Sequence, residues 1–383
     1  MAGLTAPITF ASSPRSSVGL EWEIALVDRD SRDLRQVAGT VLDAVRGSDG
    51  REHPGIRQEL LLNTVELVSA PHATIRGAGA DLVRYRDMVA EIVEPLRVDL
   101  MCAGTHPFAQ WTNQRVTDKE RYAKLIDRTQ WWGRQMLIYG VHMHVGVEDR
   151  DKALPIVRAL LAYVPHLEAL SASSPYWAGQ STGYASNRAL MFQQLPTAGL
   201  PCQFDHWSEL EHYVHDMLHT GVIDDFTEIR WDIRPSPRFG TVEVRVCDGL
   251  PSLEEVLALG AFVQCLVEDF STRLDKGEHL PTLPTWFAQE NKWRAARYGM
   301  DAIIILNEAG DEELVTDALA RLLPTLEPIA ARLGCAEELG RLPAIVQAGA
   351  SYQRQRAVAE ACGGDLVAVV ESLVGEMKAG RVT

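Results

Sequence analysis

Glu21 and Glu23 in "GLEWEIALVD", His142 and His144 in "YGVHMHVGV", and Glu243 and Arg245 in "GTVEVRVCD" are pairs separated by one residue within β-forming stretches. Side chains at i and i+2 of a strand point to the same face, so each pair looks one way. Glu59 and Glu66 bracket "LLLNTV". On one regular strand that odd spacing would put them on opposite faces, so the chain must bulge or turn between them if both serve one site. Arg230, Asp232 and Arg234 precede the Glu243–Arg245 pair across a predicted turn. A solvated face of an antiparallel sheet also alternates charge, but it tends to carry Lys, Thr and Ser. These stretches offer Glu, His and Arg and no lysine. Carboxylates sharing a surface repel one another unless something cationic sits among them. Oxygen-rich sets with an occasional histidine suit hard divalent ions such as Mg2+ or Mn2+. Arginines on neighbouring strands suit a transferring phosphoryl group.

Other chemistries leave no trace. There is no H-E-x-x-H zinc helix, no G-x-x-x-x-G-K-[ST] loop, no Rossmann glycine fingerprint and no G-x-S-x-G elbow. A nucleotide would therefore be held without a P-loop. From the residues alone, a metal-dependent hydrolase with His144 as general acid or base stays open. So does a ligand-binding module without turnover.

The elements that must position these groups are readable in outline. "SVGLEWEIALVD" predicts a strand with Leu20, Trp22, Ile24 and Leu26 on one face and the two glutamates on the other. "GIRQELLLNTVELVSAP" is β-like, residues 74–97 have helical periodicity, and "VDLMCAGTHP" is a buried strand leaving into a loop. "KERYAKLIDRTQWWGRQML" is helical. "DKALPIVRALLAYVPHLEALSAS" is a long apolar helix, kinked or restarted at its prolines. "SPYWAGQSTGYASNRALMFQQLP" is expected to be mostly loop, and "TEIRWDIRP" and "GTVEVRVCD" to form an antiparallel hairpin. From Ser252 onward the chain should be helical. One α+β domain over residues 1–383, with a helical extension from about 276, is the simplest organisation.

Composition is that of an ordinary globular chain: 46% hydrophobic and 23% charged over 383 residues. The formal net charge of −15 argues against nucleic acid or an anionic membrane surface as partner. Six scattered cysteines with no C-x-x-C read as free thiols of a reducing compartment. "MAGLTAPITFASSPRSS" has no signal-peptide pattern and no apolar run approaches about 20 residues, so a cytoplasmic protein is expected.

"GLEWEIALVD", "NTVELVSAP", "HMHVGV", "GYASNRALMFQQLP" and "TVEVRVCDG", in that order, resemble the bacterial type 2 glutamate–cysteine ligases, or YbdK-like carboxylate–amine ligases. The resemblance covers residues 17–275 by motif and the tail by length and character. It implies the glutamine synthetase-like fold, a half-barrel of mostly antiparallel strands with the active site on its concave face and helices behind. It further implies metal roles for Glu21 and Glu23, one to each of two sites, and for Glu59 and Glu66 at the site nearer the acid substrate. The spacing of these last two departs from the superfamily pattern, which bears on Glu59 more than on Glu66. His142 and Glu243 would bind the metal nearer ATP, His144 the nucleotide phosphates, and Arg245 the transferred phosphoryl group. Arg188 and Arg234 are candidate contacts to a carboxylate or phosphate. The implied cofactors are ATP and Mg2+, with Mn2+ as a substitute. The implied substrates are glutamate or a similar acid and an amine such as cysteine; a homo-oligomer is compatible with all of this.

Overall fold

The computed structural model describes residues 7–382; the first six residues of the N-terminal stretch lie outside it. The fold is organised around β1 (Val18–Asp28), whose alternation decides its two faces. Leu20, Trp22, Ile24 and Leu26 are fully buried against helices, while Glu21 and Glu23 take the opposite face. On one side β1 pairs with β3 (Thr64–Val68), which hairpins with β2 (Ile56–Gln58). On the other it pairs with β5 (Val141–Gly146), while β4 (Val98–Met101) joins its last residues. The sheet continues from β5 to β9 (Thr241–Val244) and β8 (Ile233–Ser236). Every pairing is antiparallel.

Two long helices, α2 (Ile75–Val93) and α9 (Leu253–Asp275), pack on the apolar face. Each is capped: the Thr74 and Ser252 side chains accept a backbone N–H from the first turn. Trp22 is fixed in this layer by its Nε1–H, which donates to Leu250 O at 3.0 Å. Buried apolar residues from Val18 to Met377 belong to one contiguous cluster. The helices after Asp275 therefore share a core with the sheet.

The apolar segment after β5 is α5 (Arg150–Leu160), a 3-10 turn and α6 (Val164–Ser171), restarted where Pro165 sits in the first turn of α6. Taken together, Arg150–Ser171 is 22 residues long and apolar enough to cross a membrane, against the expectation that no apolar run approaches that length. Here 78% of its most apolar window is buried inside the protein, so it packs as a core helix.

Some expectations need correction. The "SPYWAGQ…QLP" stretch is loop for most of its length, as expected, but not throughout. It holds a two-residue hairpin, β6 (Tyr176–Trp177) with β7 (Gln180–Ser181), and the helix α7 (Asn187–Phe192). The Ser186 hydroxyl starts α7 by accepting the Ala189 N–H at 3.2 Å. In "TEIRWDIRP" only the last residues are strand, because Phe226–Glu228 closes a 3-10 turn capped by Asp225. Two helices had no sequence assignment, α1 (Ala38–Val45) and α8 (Trp207–His219). The helical tail is interrupted by a hairpin, Ile303–Ile305 with Glu312–Leu314, between helices Thr285–Tyr298 and Val315–Leu333.

Candidate active site

The strand register brings the singled-out residues into ladders across the polar face. Glu23 stands opposite Glu66 and Glu21 opposite His142. His144 stands opposite Glu243, which has Arg234 on its other side. Glu59 lies in the turn that joins β2 to β3. The chain does turn between Glu59 and Glu66, and both reach the same space. Glu21, Glu23, Glu59, Glu66, His142, Arg188, Arg234 and Arg245 line one cleft of about 680 Å³. His144 and Glu243 are buried in the same ladders.

At one end the site is acidic. Burial and the nearby Glu59 charge push the Glu23 carboxyl up to about 8. Burial and the surrounding glutamates push Glu66 well above the ordinary carboxylate range, and burial also raises Glu59. The Gly140 N–H donates to Glu23, and the Leu60 N–H donates to Glu59 at 3.0 Å. These bonds orient the carboxylates without neutralising them.

At the other end charges are paired. Burial alone would raise Glu21, but hydrogen bonds from His142 and His144 hold it well below the usual range. His142 Nδ1 lies 2.9 Å from Glu21 Oε2, and burial with the Arg245 charge lowers its pKa to about 4. His144 Nδ1 meets Thr241 Oγ1 at 2.9 Å while its Nε2 lies 3.4 Å from Glu21. Burial opposes its charging, but Glu243 and Glu21 outweigh that and raise it. Glu243 receives Arg234 in a two-pronged contact of 2.8 and 3.2 Å and also bonds Arg245. Against the cost of burial, these two arginines keep Glu243 ionised far into the acid range.

Two sets of ligand atoms are close enough to hold a cation: Glu21, His142 and Glu243, and Glu23, Glu66 and His142, each within 4.8 Å. Carboxylates with one imidazole are the donor set of hard divalent ions, and mutual repulsion among buried carboxyls is what such an ion relieves. The residues present thus fit Mg2+ or Mn2+. A further polar signal lies on the arginines: the Nε atoms of Arg188 and Arg245 are buried with no hydrogen-bond partner among the described residues. Both side chains line the cleft, and a buried donor left unmet calls for a partner. Arg188 is buried rather than on the surface: it is 3% exposed, and its guanidinium leans on the main-chain carbonyls of Arg245 and Val246 at 3.3–3.5 Å.

Several lining residues escaped the sequence reasoning. Arg121, Lys124, Leu125 and Arg128 project from α3 (Glu120–Thr129), joined by Tyr122, and Asp224, Asp225 and Glu228 come from the loop before β8. The first four recur at helical spacing, a stripe of three cations and one leucine that could have been read on one helix face. The loop acids carry no such signal. Apolar walls come from Met136, Ile138, Phe192 and Leu195.

Solved structures share this architecture. A glutamate–cysteine ligase of Francisella tularensis in complex with AMP superposes with a TM-score of 0.70 at 13% identity, covering 97% of this chain and 90% of that one. A bifunctional glutathione synthetase of Pasteurella multocida superposes at 0.63 and 16% identity, covering 95% of this chain and 52% of that one. A protein of Leifsonia xyli carrying the name glutamate–cysteine ligase 2 is 59% identical over 373 residues, 97% of this chain and 99% of the relative. One of Arthrobacter carrying the name glutamate–cysteine ligase 2-1 is 58% identical over 378 residues, with 97% of this chain and 99% of the relative covered. The family match and these relatives, set beside the antiparallel sheet and its acid–imidazole–guanidinium face, make the chain an ATP-dependent carboxylate–amine ligase. More closely, the chain matches glutamate–cysteine ligase family 2 over residues 17–372 and belongs to it.

Proposed function

We propose that the chain joins the γ-carboxylate of glutamate, or a similar acid, to an amine such as cysteine through an acyl phosphate. A carboxylate oxygen of the acid attacks the γ-phosphorus of ATP, and the bond from that phosphorus to the β-phosphate oxygen breaks, releasing ADP. The amine nitrogen then attacks the activated carbonyl carbon, phosphate leaves, and the nitrogen sheds its proton to give the amide. Activation is required because a free carboxylate is a poor electrophile at neutral pH.

Arg245 carries this assignment. It lies on the metal-ligand face with one arm on Glu243 and its buried Nε unmet, placed as a fixed donor for a phosphoryl group whose charge spreads during transfer. Arg234, held by the same carboxylate, would support it, and His144 and Arg188 would meet anionic oxygens of the substrates. Glu21, Glu23, Glu59, Glu66, His142 and Glu243 would hold Mg2+, with Mn2+ as a substitute. When bound, the ion neutralises phosphate charge.

Arg121, which feels the charges of Glu59 and Glu66, is suited to a carboxylate of the acid at that end of the cleft. We also take the chain as one catalytic unit with the helices after residue 275 as an extension. The reaction belongs in the cytoplasm, where ATP is available and where the six free cysteines stay reduced. Amines screened with glutamate and Mg-ATP, and read as ADP release, test the function. ADP must appear only when acid and amine are both present; release from ATP alone, or amide hydrolysis without ATP, would contradict it.

A further inference from the structure

Asp248 follows Arg245, which stands just past the end of β9, by three residues; it is 1% exposed and does not itself line the cleft. Its carboxylate accepts three hydrogen bonds. Oδ2 receives the Ser173 N–H at 3.0 Å and the Ser174 hydroxyl at 2.7 Å, and Oδ1 receives the Ser186 hydroxyl at 2.8 Å. Each hydroxyl is thereby turned to accept from α7. Ser174 Oγ takes the Arg188 N–H at 3.0 Å and Ser186 Oγ takes the Ala189 N–H at 3.2 Å. The first turn of α7 hangs from one buried carboxylate through two hydroxyls.

That turn aims Arg188. Its guanidinium crosses Gly140, where an added Cβ would stand 2.2 Å from Nη2, and ends against Arg245 O and Val246 O. Only glycine leaves room for that path. On its amide side Arg245 is tied by its N–H to Asp232 O at 2.8 Å. The main chain at Arg245 is therefore held from both sides, and Asp248 sets one of them.

We propose that Asp248 is a positioning residue for phosphoryl transfer, docking α7 so that Arg188 braces the main chain from which Arg245 reaches the cleft. The proposal rests on the role assigned to Arg245. Groups behind an active site that orient those in contact with substrate commonly carry 10–100-fold of activity, and geometry lost by fractions of an ångström is felt mainly in turnover.

The experiment is a double-mutant cycle on the full chain, with kcat, KM for ATP and the melting temperature read for Asp248→Asn, Arg188→Lys and the pair. Arg245→Lys serves as reference. The expected result is a kcat lower by about 10-fold in Asp248→Asn, with KM for ATP held within about twofold. The double variant should be no more than about twofold slower than the slower single one. A residue that only supports stability would lower the melting temperature, and its effect would multiply with that of Arg188→Lys. Losses that multiply, or a wild-type kcat in Asp248→Asn, would overturn the proposal. If Asp248→Asn does not fold, Ser186→Ala replaces it with the same required pattern and a smaller loss. A slow Arg245→Lys beside an unaffected Asp248→Asn removes the proposal alone. An unaffected Arg245→Lys removes both it and the role of Arg245.

Discussion

Glu23 and Glu243 lie on the same face of the sheet, the first half-buried and the second buried, yet their surroundings drive their carboxyls in opposite directions. Desolvation and the Glu59 charge push Glu23 up to about 8, whereas Arg234 and Arg245 hold Glu243 down against its burial. The site is a gradient from unneutralised acid to neutralised acid across three neighbouring strands.

The gradient gives two mutants of opposite sign. In chelator, Glu23→Gln removes one of several repelling carboxyls, so its melting temperature should rise by about 2 °C or more. Glu243→Gln leaves two buried guanidiniums without their anion, and its melting temperature should fall. Both should lose turnover. Thermal melts in EDTA read the contrast, and a fall in Glu23→Gln would mean that its carboxyl is not under repulsion.

Glu23 also fixes a pH dependence. A carboxyl raised in the folded state binds its proton more tightly there than in the unfolded chain, so its contribution is full below the ordinary carboxylate pKa. It is lost as pH rises toward about 8. Without metal, stability should decline across that interval more steeply in the wild type than in Glu23→Gln. Added Mg2+ should restore it most at the alkaline end, where the carboxylates are already ionised. Melting curves from pH 5 to 8.5, with EDTA and with Mg2+, decide this.

The two histidines should separate in kinetics. His142 belongs to both candidate ligand sets, so His142→Ala should raise the Mg2+ concentration needed for half-maximal rate and be partly rescued by excess metal. His144 belongs to neither and is tied to Thr241. His144→Ala should raise KM for ATP and leave the metal requirement alone. Equal behaviour of the two would refute the division.

Arg245→Ala should cost about 10²–10³-fold in kcat, the usual worth of one preorganised donor to a charge that develops in the transition state. Arg245→Lys keeps the charge but not the planar fork, and should recover part of the loss. A residue that merely neutralised Glu243 would leave Arg245→Lys nearly silent.

Arg121→Ala should raise KM for the acid by about 10-fold or more, the worth of a hydrogen bond to a charged group, with KM for ATP little changed. A change in the ATP constant instead would move Arg121 to the nucleotide end.

How much of this was legible depended on whether the information was local. The alternation in "GLEWEIALVD" fixes both faces of β1 within eleven residues, so the metal-face pairs were readable from spacing. The turn between Glu59 and Glu66 followed from parity alone. Arg121 reaches the cleft only because α3 is laid over the sheet by tertiary packing. The helix after Ser186 was hidden by Gly and Ser on its N-terminal side, although its capping serine stood in the sequence. Asp248 could not be read at all, since its three partners come from two segments 62 to 75 residues away.

The alternation along β1 has a genetic corollary. Gain or loss of one codon inside Val18–Asp28 would turn Leu20 or Trp22 toward the cleft and press a glutamate into the layer of α2 and α9. No partial compensation by side-chain rotation exists for such a frame error, because the fault lies in strand parity. Length differences among homologous genes should therefore collect in connections such as residues 178–186 and be missing from the strands, which a survey of insertions and deletions across the family would show directly.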